Sequence, residues 1–229
     1  MFELCYVTDR KQLKPGQTLE QVVSLAAGNG ADAVMLREKD LKDTALLLKL
    51  AERIKKAAGK VEYIINGRCD IALAVNAGGV HLSSNSISVK QARKIMGRTK
   101  LIGKSCHSQK DALLAQKAGA DYIFLGPVFY TKSKAKYGKP LGCGLVRKMF
   151  KTGKIKIPVI GVGGIIPNNT AEVIKAGAFG VAVISGISKA EDPGKAAALY
   201  REAIEKNRFL RFVKFLMFIK KNLKRGRGE

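Results

Sequence analysis

Two rhythms of apolar positions alternate along this chain. Short apolar runs occupy Leu4 to Thr8, Ala33 to Leu36, Val61 to Ile65, Gly79 to Leu82, Lys100 to Ser105, Tyr122 to Leu125, Pro158 to Val162 and Gly180 to Ser185. Runs this short and this apolar read as strands buried on both faces of a parallel sheet. Between them the apolar residues recur at helical spacing. Leu19 to Ala27 follows Thr18, a good N-cap, and Leu41 to Ala58 is amphipathic and closes at Gly59. Helices are also predicted over Asp70 to Asn76, Val89 to Met96 behind Ser88, Gln109 to Ala118, Leu145 to Lys151, Thr170 to Lys175 with Pro167 in the first turn, and Pro193 to Asn207. Eight strand–helix pairs at a period of roughly 25 residues predict an α/β chain forming a single (β/α)8 TIM barrel over residues 1–206. A doubly wound sheet is the alternative, but no G-x-G-x-x-G follows the first strand.

In such a barrel the chemistry gathers at the C-terminal ends of the strands. Those ends carry Arg37 and Lys39, Asn66 and Arg68, Ser83 to Ser86, Ser105 and His107, then Thr131, Ser133 and Lys134. The last two strands run into Gly163-Gly164 and Ile184-Ser185-Gly186. Glycine lets a ligand approach the backbone, and the loops after strands seven and eight are the usual phosphate site of the fold. Cations and hydroxyls dominate the set. Glu38 and Asp40 are the acids that stand out, and alternation puts Glu38 on the face of Val34 and Leu36 rather than with Arg37. Such a set suits a phosphorylated ligand and predicts no dedicated metal site.

Two histidines are present. His81 lies inside an apolar strand, where a core role is commoner than a catalytic one. His107, just past strand five, is the candidate acid or base, with helix-start packing as its other reading. Cys106 beside it reads as a small buried hydrophobe.

The net charge of +24 favours anionic partners. Four cysteines, Cys5, Cys69, Cys106 and Cys143, stand far apart and point to a reduced, cytoplasmic protein rather than a zinc site or disulfide scaffold. MFELCYVTDR turns strand-like at once, so no signal peptide is expected. Residues 207–229 form a basic amphipathic extension, with eight Lys or Arg against Glu229 alone. Its apolar stretch is broken by Arg211 and Lys214, too short to span a bilayer. Peripheral contact with an anionic membrane and packing on the barrel or on another subunit of a homo-oligomer both stay open. No nucleic-acid motif accompanies the charge.

The runs MLREKD, NGRCDIALAVNAGGVHL, GKSCHS, GPVFYTKSK, IPVIGVGGI and GVAVISGI fall in order on successive strand ends. Together they resemble the thiamine phosphate synthase and thiazole tautomerase family over about residues 4–206, and the family is a (β/α)8 barrel. The resemblance implies that Arg37, Lys39, Asn66, Ser105 and Lys134 hold a pyrophosphate. It implies that Thr131, Ser133, Gly163, Gly164, Ile184 and Ser185 hold the phosphate of a small phosphorylated thiazole, and that no cofactor is needed. The synthase pattern has Gln where Met35 stands and Asp where Gly67 stands. It has Gln, an acid and Asp where Ser84, Asn85 and Ser86 stand, so both carboxylates that would hold Mg²⁺ are replaced. Gly67 and the serine run resemble the tautomerase branch, whose proton-transfer His would fall at Pro127. The reading that follows is a metal-free, tautomerase-like enzyme with His107 as candidate catalytic group. A thiamine phosphate synthase and a non-catalytic binding protein are its alternatives.

Overall fold

A computed structural model describes residues 1–131 and 139–208, apart from the Lys151 side chain. Eight parallel strands close in sequence order into a barrel. They are β1 (Leu4–Val7), β2 (Ala33–Leu36), β3 (Glu62–Asn66), β4 (Gly79–Leu82), β5 (Leu101–Cys106), β6 (Tyr122–Leu125), β7 (Val159–Val162) and β8 (Gly180–Val183). The connecting helices are α1 (Leu19–Gly28), α2 (Thr44–Ala58), α3 (Cys69–Ala74), α4 (Val89–Met96), α5 (Gln109–Lys117), α6 (Gly142–Lys151), α7 (Pro167–Ala176) and α8 (Ser185–Ser188). A final helix, α9, runs over 193–208.

Local chemistry sets the helix starts. Thr18 with Gln21, and Ser88 with Gln91, form capping boxes at α1 and α4. Asp43 accepts from Leu46 N at 2.9 Å, so α2 begins at Thr44 rather than at the apolar Leu41. Pro167 occupies the first turn of α7, as the sequence predicts, and the helix runs from Pro167 through Ala176. Helix α8, four residues long, is too short to leave a periodic signal.

Strand parity splits the apolar residues into two layers. Cys5, Val7, Ala33, Met35, Ile64, Tyr122, Phe124, Ile160 and Ala182 form the inner core, while Val34, Leu36, Ile65, Val80, Leu82 and their neighbours pack under the helices. The registers Met35↔Ile64, His81↔Gly103 and Phe124↔Ile160 keep the inner set in phase around the barrel. At the N-terminal end, Asp32 accepts from Glu3 N and Leu4 N, and Arg201 of α9 bridges Glu3 and Asp32 at 3.1 and 2.8 Å. This clamp fixes the last helix to the first two strands and leaves the opposite mouth for function. The basic extension from residue 209 onward lies outside the described residues. Among the described residues, no helix is long and apolar enough to cross a membrane.

Candidate active site

Inward parity at the strand ends selects Arg37, Asn66, Ser105 and Ile184. Asn66 closes β3 opposite His81, and Ser105 lies near the end of β5 opposite Phe124. Arg37 is half-buried just past β2. Its backbone N–H donates to Thr8 Oγ1 at 3.0 Å, and that hydroxyl donates to Glu38 Oε1 at 2.7 Å. Glu38 also receives Arg10 N at 3.1 Å and the Arg10 guanidinium at 3.0 Å. It is 7% exposed, on the outer face, as alternation requires. Asp40 is taken up by Arg10 and Lys11. Arg10 thus occupies the acids beside Arg37, and among the described residues no carboxylate is hydrogen-bonded to the Arg37 guanidinium. Burial pulls that group below the ordinary arginine value, and the charges of Asp9 and Glu38 oppose the shift. A half-desolvated guanidinium of this kind is well suited to an incoming phosphate.

Lys39 and Asn66 line a cleft of about 190 Å³ with Leu36, Leu47, Ile65 and Arg68. Leu36, Leu47 and Ile65 belong to the outer layer, so this cleft opens between α2 and the ends of β2 and β3, off the barrel axis.

The turn after β7 has φ +95° at Gly163 and +66° at Gly164. A Cβ on Gly164 would stand 2.7 Å from both Phe129 Cβ and Tyr130 O. The turn is sewn to the segment after β6: Val128 N donates to Val162 O and Phe129 N to Gly163 O, at 2.9 and 3.0 Å. Asn169 Nδ2 donates to Gly164 O at 3.0 Å, and Tyr200 of α9 donates to Ile165 O at 3.0 Å. Ile184 precedes α8, whose Ser188 hydroxyl meets Tyr6 OH at 2.9 Å. Asn169, Tyr200 and Tyr6 thus brace both glycine turns from behind. In sequence they look like ordinary helix and strand residues, and nothing in their spacing marks them. Thr131 ends the described part of the strand-six loop, and Ser133 and Lys134 lie outside the described residues.

After β4 the serines hydrogen-bond mainly to each other. Ser83 N donates to Ser86 Oγ at 3.0 Å, and the Ser83 and Ser86 hydroxyls are 3.2 Å apart. Lys104 Nζ donates to Ser83 O at 2.7 Å. A Cβ at Gly67 would lie 3.3 Å from Ser86 Oγ, so positions 67 and 86 face each other. Neither carries a carboxylate. Asp70 is engaged by Arg68 at 2.6 Å, and among the described residues no group of three His, Cys, Asp or Glu side chains could hold a metal ion. The strand-six loop, Phe129 to Gly144, contains no acid. This donor set does not fit a protein-held Mg²⁺, which wants at least one carboxylate.

His107 is exposed at the rim. Its Nδ1–H donates to Gly126 O at 2.5 Å, and its N–H donates to Asp111 Oδ2 at 3.1 Å. It ties the end of β5 to the end of β6. His81 lies below it in the barrel, 2% exposed, with Nε2 at 2.9 Å from Ser105 Oγ and Nδ1 at 3.3 Å from Tyr122 OH.

The fold defines the class, a closed (β/α)8 barrel, and the strand ends at its mouth present a guanidinium, an amide and a hydroxyl together with paired glycine turns, groups suited to a phosphorylated ligand. The family model for thiamine monophosphate synthase matches residues 4–187, and the chain belongs to that family. The thiamine-phosphate synthase of Clostridium novyi is 40% identical over 193 residues, covering 83% of this chain and 93% of the relative. A putative thiamine-phosphate synthase of Geobacter sulfurreducens is 42% identical over 198 residues, covering 86% and 91%. The solved thiamine phosphate pyrophosphorylase of Pyrococcus furiosus superposes with a TM-score of 0.80 at 34% identity, covering 90% of this chain and 96% of that one.

These similarities overturn the tautomerase expectation. Relatives matching at this level along the whole barrel carry the synthase name, and nothing favours the tautomerase branch. The expectation leaned on Gly67 and the serine run, a few turn residues whose local chemistry says less than the match along all eight strands.

Proposed function

We propose that this chain is a thiamine phosphate synthase, a transferase that joins a thiazole phosphate to a pyrimidine carried on a diphosphate. The carbon–oxygen bond to the diphosphate breaks, a bond from the same carbon to the thiazole nitrogen forms, and pyrophosphate leaves. The presentation of Arg37, Asn66 and Ser105 at one mouth, opposite the glycine turns after β7 and β8, carries this reading. Arg37, Asn66 and Ser105, with Lys39 and Lys134, meet the diphosphate. The Gly163-Gly164 turn and Ile184-Ser185, with Thr131 and Ser133, take the thiazole phosphate. The cationic side chains offset the charge that gathers on departing pyrophosphate, and the preformed backbone turns hold the nucleophile still. No step is routed through a metal, because the residues present do not fit one held by the protein.

Complementation tests the reading. The gene is expected to restore growth without thiamine to a bacterium deleted for its own synthase, and an Arg37→Met variant to fail while accumulating as folded protein. Growth restored by neither, with folded wild-type protein present, contradicts it.

A further inference from the structure

Three side chains on adjacent strands form a continuous line from the barrel core to its mouth: Tyr122 on β6, His81 on β4 and Ser105 on β5. The phenol oxygen is 3.3 Å from His81 Nδ1, and His81 Nε2 is 2.9 Å from Ser105 Oγ. Gly103 makes the meeting possible. A Cβ there would fall 2.1 Å from Tyr122 Cζ and 2.5 Å from His81 Nδ1. Tyr122 and His81 are buried, and Phe124 packs against the imidazole with ring centroids 4.2 Å apart and planes tilted by 38°.

Burial, helped by the charges of Lys104 and Arg37, pushes the imidazole down to about 3, so His81 is neutral and carries one N–H. Burial holds the Tyr122 phenol well above its ordinary value, so it keeps its proton. Among the described residues the one hydrogen-bond partner of that phenol is His81 Nδ1. A buried donor needs an acceptor. Nδ1 therefore accepts, Nε2 bears the proton, and Nε2–H donates to Ser105 Oγ. The serine oxygen is then an acceptor towards the core, and its own hydrogen is free to point into the mouth.

We propose that Tyr122 and His81 are positioning residues that fix the Ser105 hydroxyl as a donor to an anionic oxygen bound at the mouth. Identifying that oxygen with the diphosphate rests on the synthase reading; the direction of the relay does not.

Two measurements test this. Nitrogen-15 NMR of histidine-labelled wild-type protein is expected to show His81 as the Nε2–H tautomer; an Nδ1–H tautomer overturns the proposal. Calorimetry with inorganic pyrophosphate is expected to show Ser105→Ala weakening binding by about 10-fold or more, the worth of a hydrogen bond to a charged group. In a His81→Met background, the same Ser105 change is expected to cost less than 2-fold. His81→Gln, whose amide can still donate to Ser105, is expected to stay near wild type. An undiminished Ser105 effect in the His81→Met background overturns the proposal, as does no Ser105 effect at all. If His81→Met fails to fold, the tautomer measurement on wild type still decides. Pyrophosphate binding that depends on Ser105 through His81, without turnover, would uphold the relay and sink the synthase reading. Turnover with the wrong tautomer would do the reverse.

Discussion

Gly164→Ala tests how the phosphate turn is built. At φ +66°, an alanine in the left-handed region costs about 1–2 kcal/mol. The added methyl would also sit 2.7 Å from Phe129 Cβ and 2.7 Å from the Tyr130 carbonyl oxygen, and 2.9 Å from Phe129 C. Two of those three atoms are backbone and cannot swing aside, so overpacking adds about 1–3 kcal/mol. Gly119→Ala is the control. Its φ is +92°, and nothing lies within 4 Å of the added methyl. It is expected to lose only the conformational part. In urea the two variants should differ by about 1–3 kcal/mol, which at a slope of about 2 kcal/mol per molar separates their midpoints by roughly 0.5–1.5 M. Any relaxation in Gly164→Ala must move Phe129 and Tyr130, the start of the strand-six loop. Affinity for thiazole phosphate should therefore fall in Gly164→Ala and hold in Gly119→Ala. Equal stability losses, or unchanged affinity in Gly164→Ala, would refute the packing argument.

Other outcomes follow from single contacts. Glu38→Gln removes the charge that Thr8 and Arg10 converge on, and should cost about 1.5–3 kcal/mol in chemical denaturation; no loss would show that the carboxylate does not organise the β1–β2 mouth. His81 has a folded pKa of about 3 against 6.5 unfolded, so the unfolded chain binds the extra proton and stability falls as pH drops below 6.5 towards 3. That loss should approach about 1.4 kcal/mol per pH unit and be missing from the His81→Gln profile over the same range; parallel profiles would show that the histidine does not titrate as described. Wild-type protein should show no tight site in a Mn²⁺ titration followed by electron paramagnetic resonance, and the double variant Gly67→Asp, Ser86→Asp should gain one, since positions 67 and 86 face each other. A tight site in wild type would mean that other donors hold the ion.

The barrel was legible because each strand is a short apolar run between helices with clear caps and breaks. Parity does further work: it separates Glu38, on the face of Val34 and Leu36, from Arg37, and the structure shows that the Val34 and Leu36 face is the outer one. Helix starts are legible at α7, where Pro167 marks the first turn, and less so at α2, where Asp43 overrides the apolar rhythm. Candidate site residues could be read at the strand ends, but their supports could not. Tyr200 reaches the β7 turn from a helix 35 residues away in sequence, and Tyr122 meets His81 across 41. Pairings of that kind depend on barrel closure, which no local pattern encodes. The choice of branch failed for a related reason. Gly67 and Ser84 to Ser86 are turn residues, and a turn can change without changing the reaction its barrel supports.

The synthase reading stands or falls on direct turnover. Purified full-length protein, incubated with thiazole phosphate and pyrimidine diphosphate in buffer containing Mg²⁺, is followed by mass spectrometry of the products. Thiamine phosphate and pyrophosphate accumulating in equal amounts, with the rate cut at least 100-fold in Arg37→Met by loss of a charged phosphate contact of about 3 kcal/mol, is the predicted result. Folded protein that binds thiazole phosphate yet forms no thiamine phosphate would contradict it.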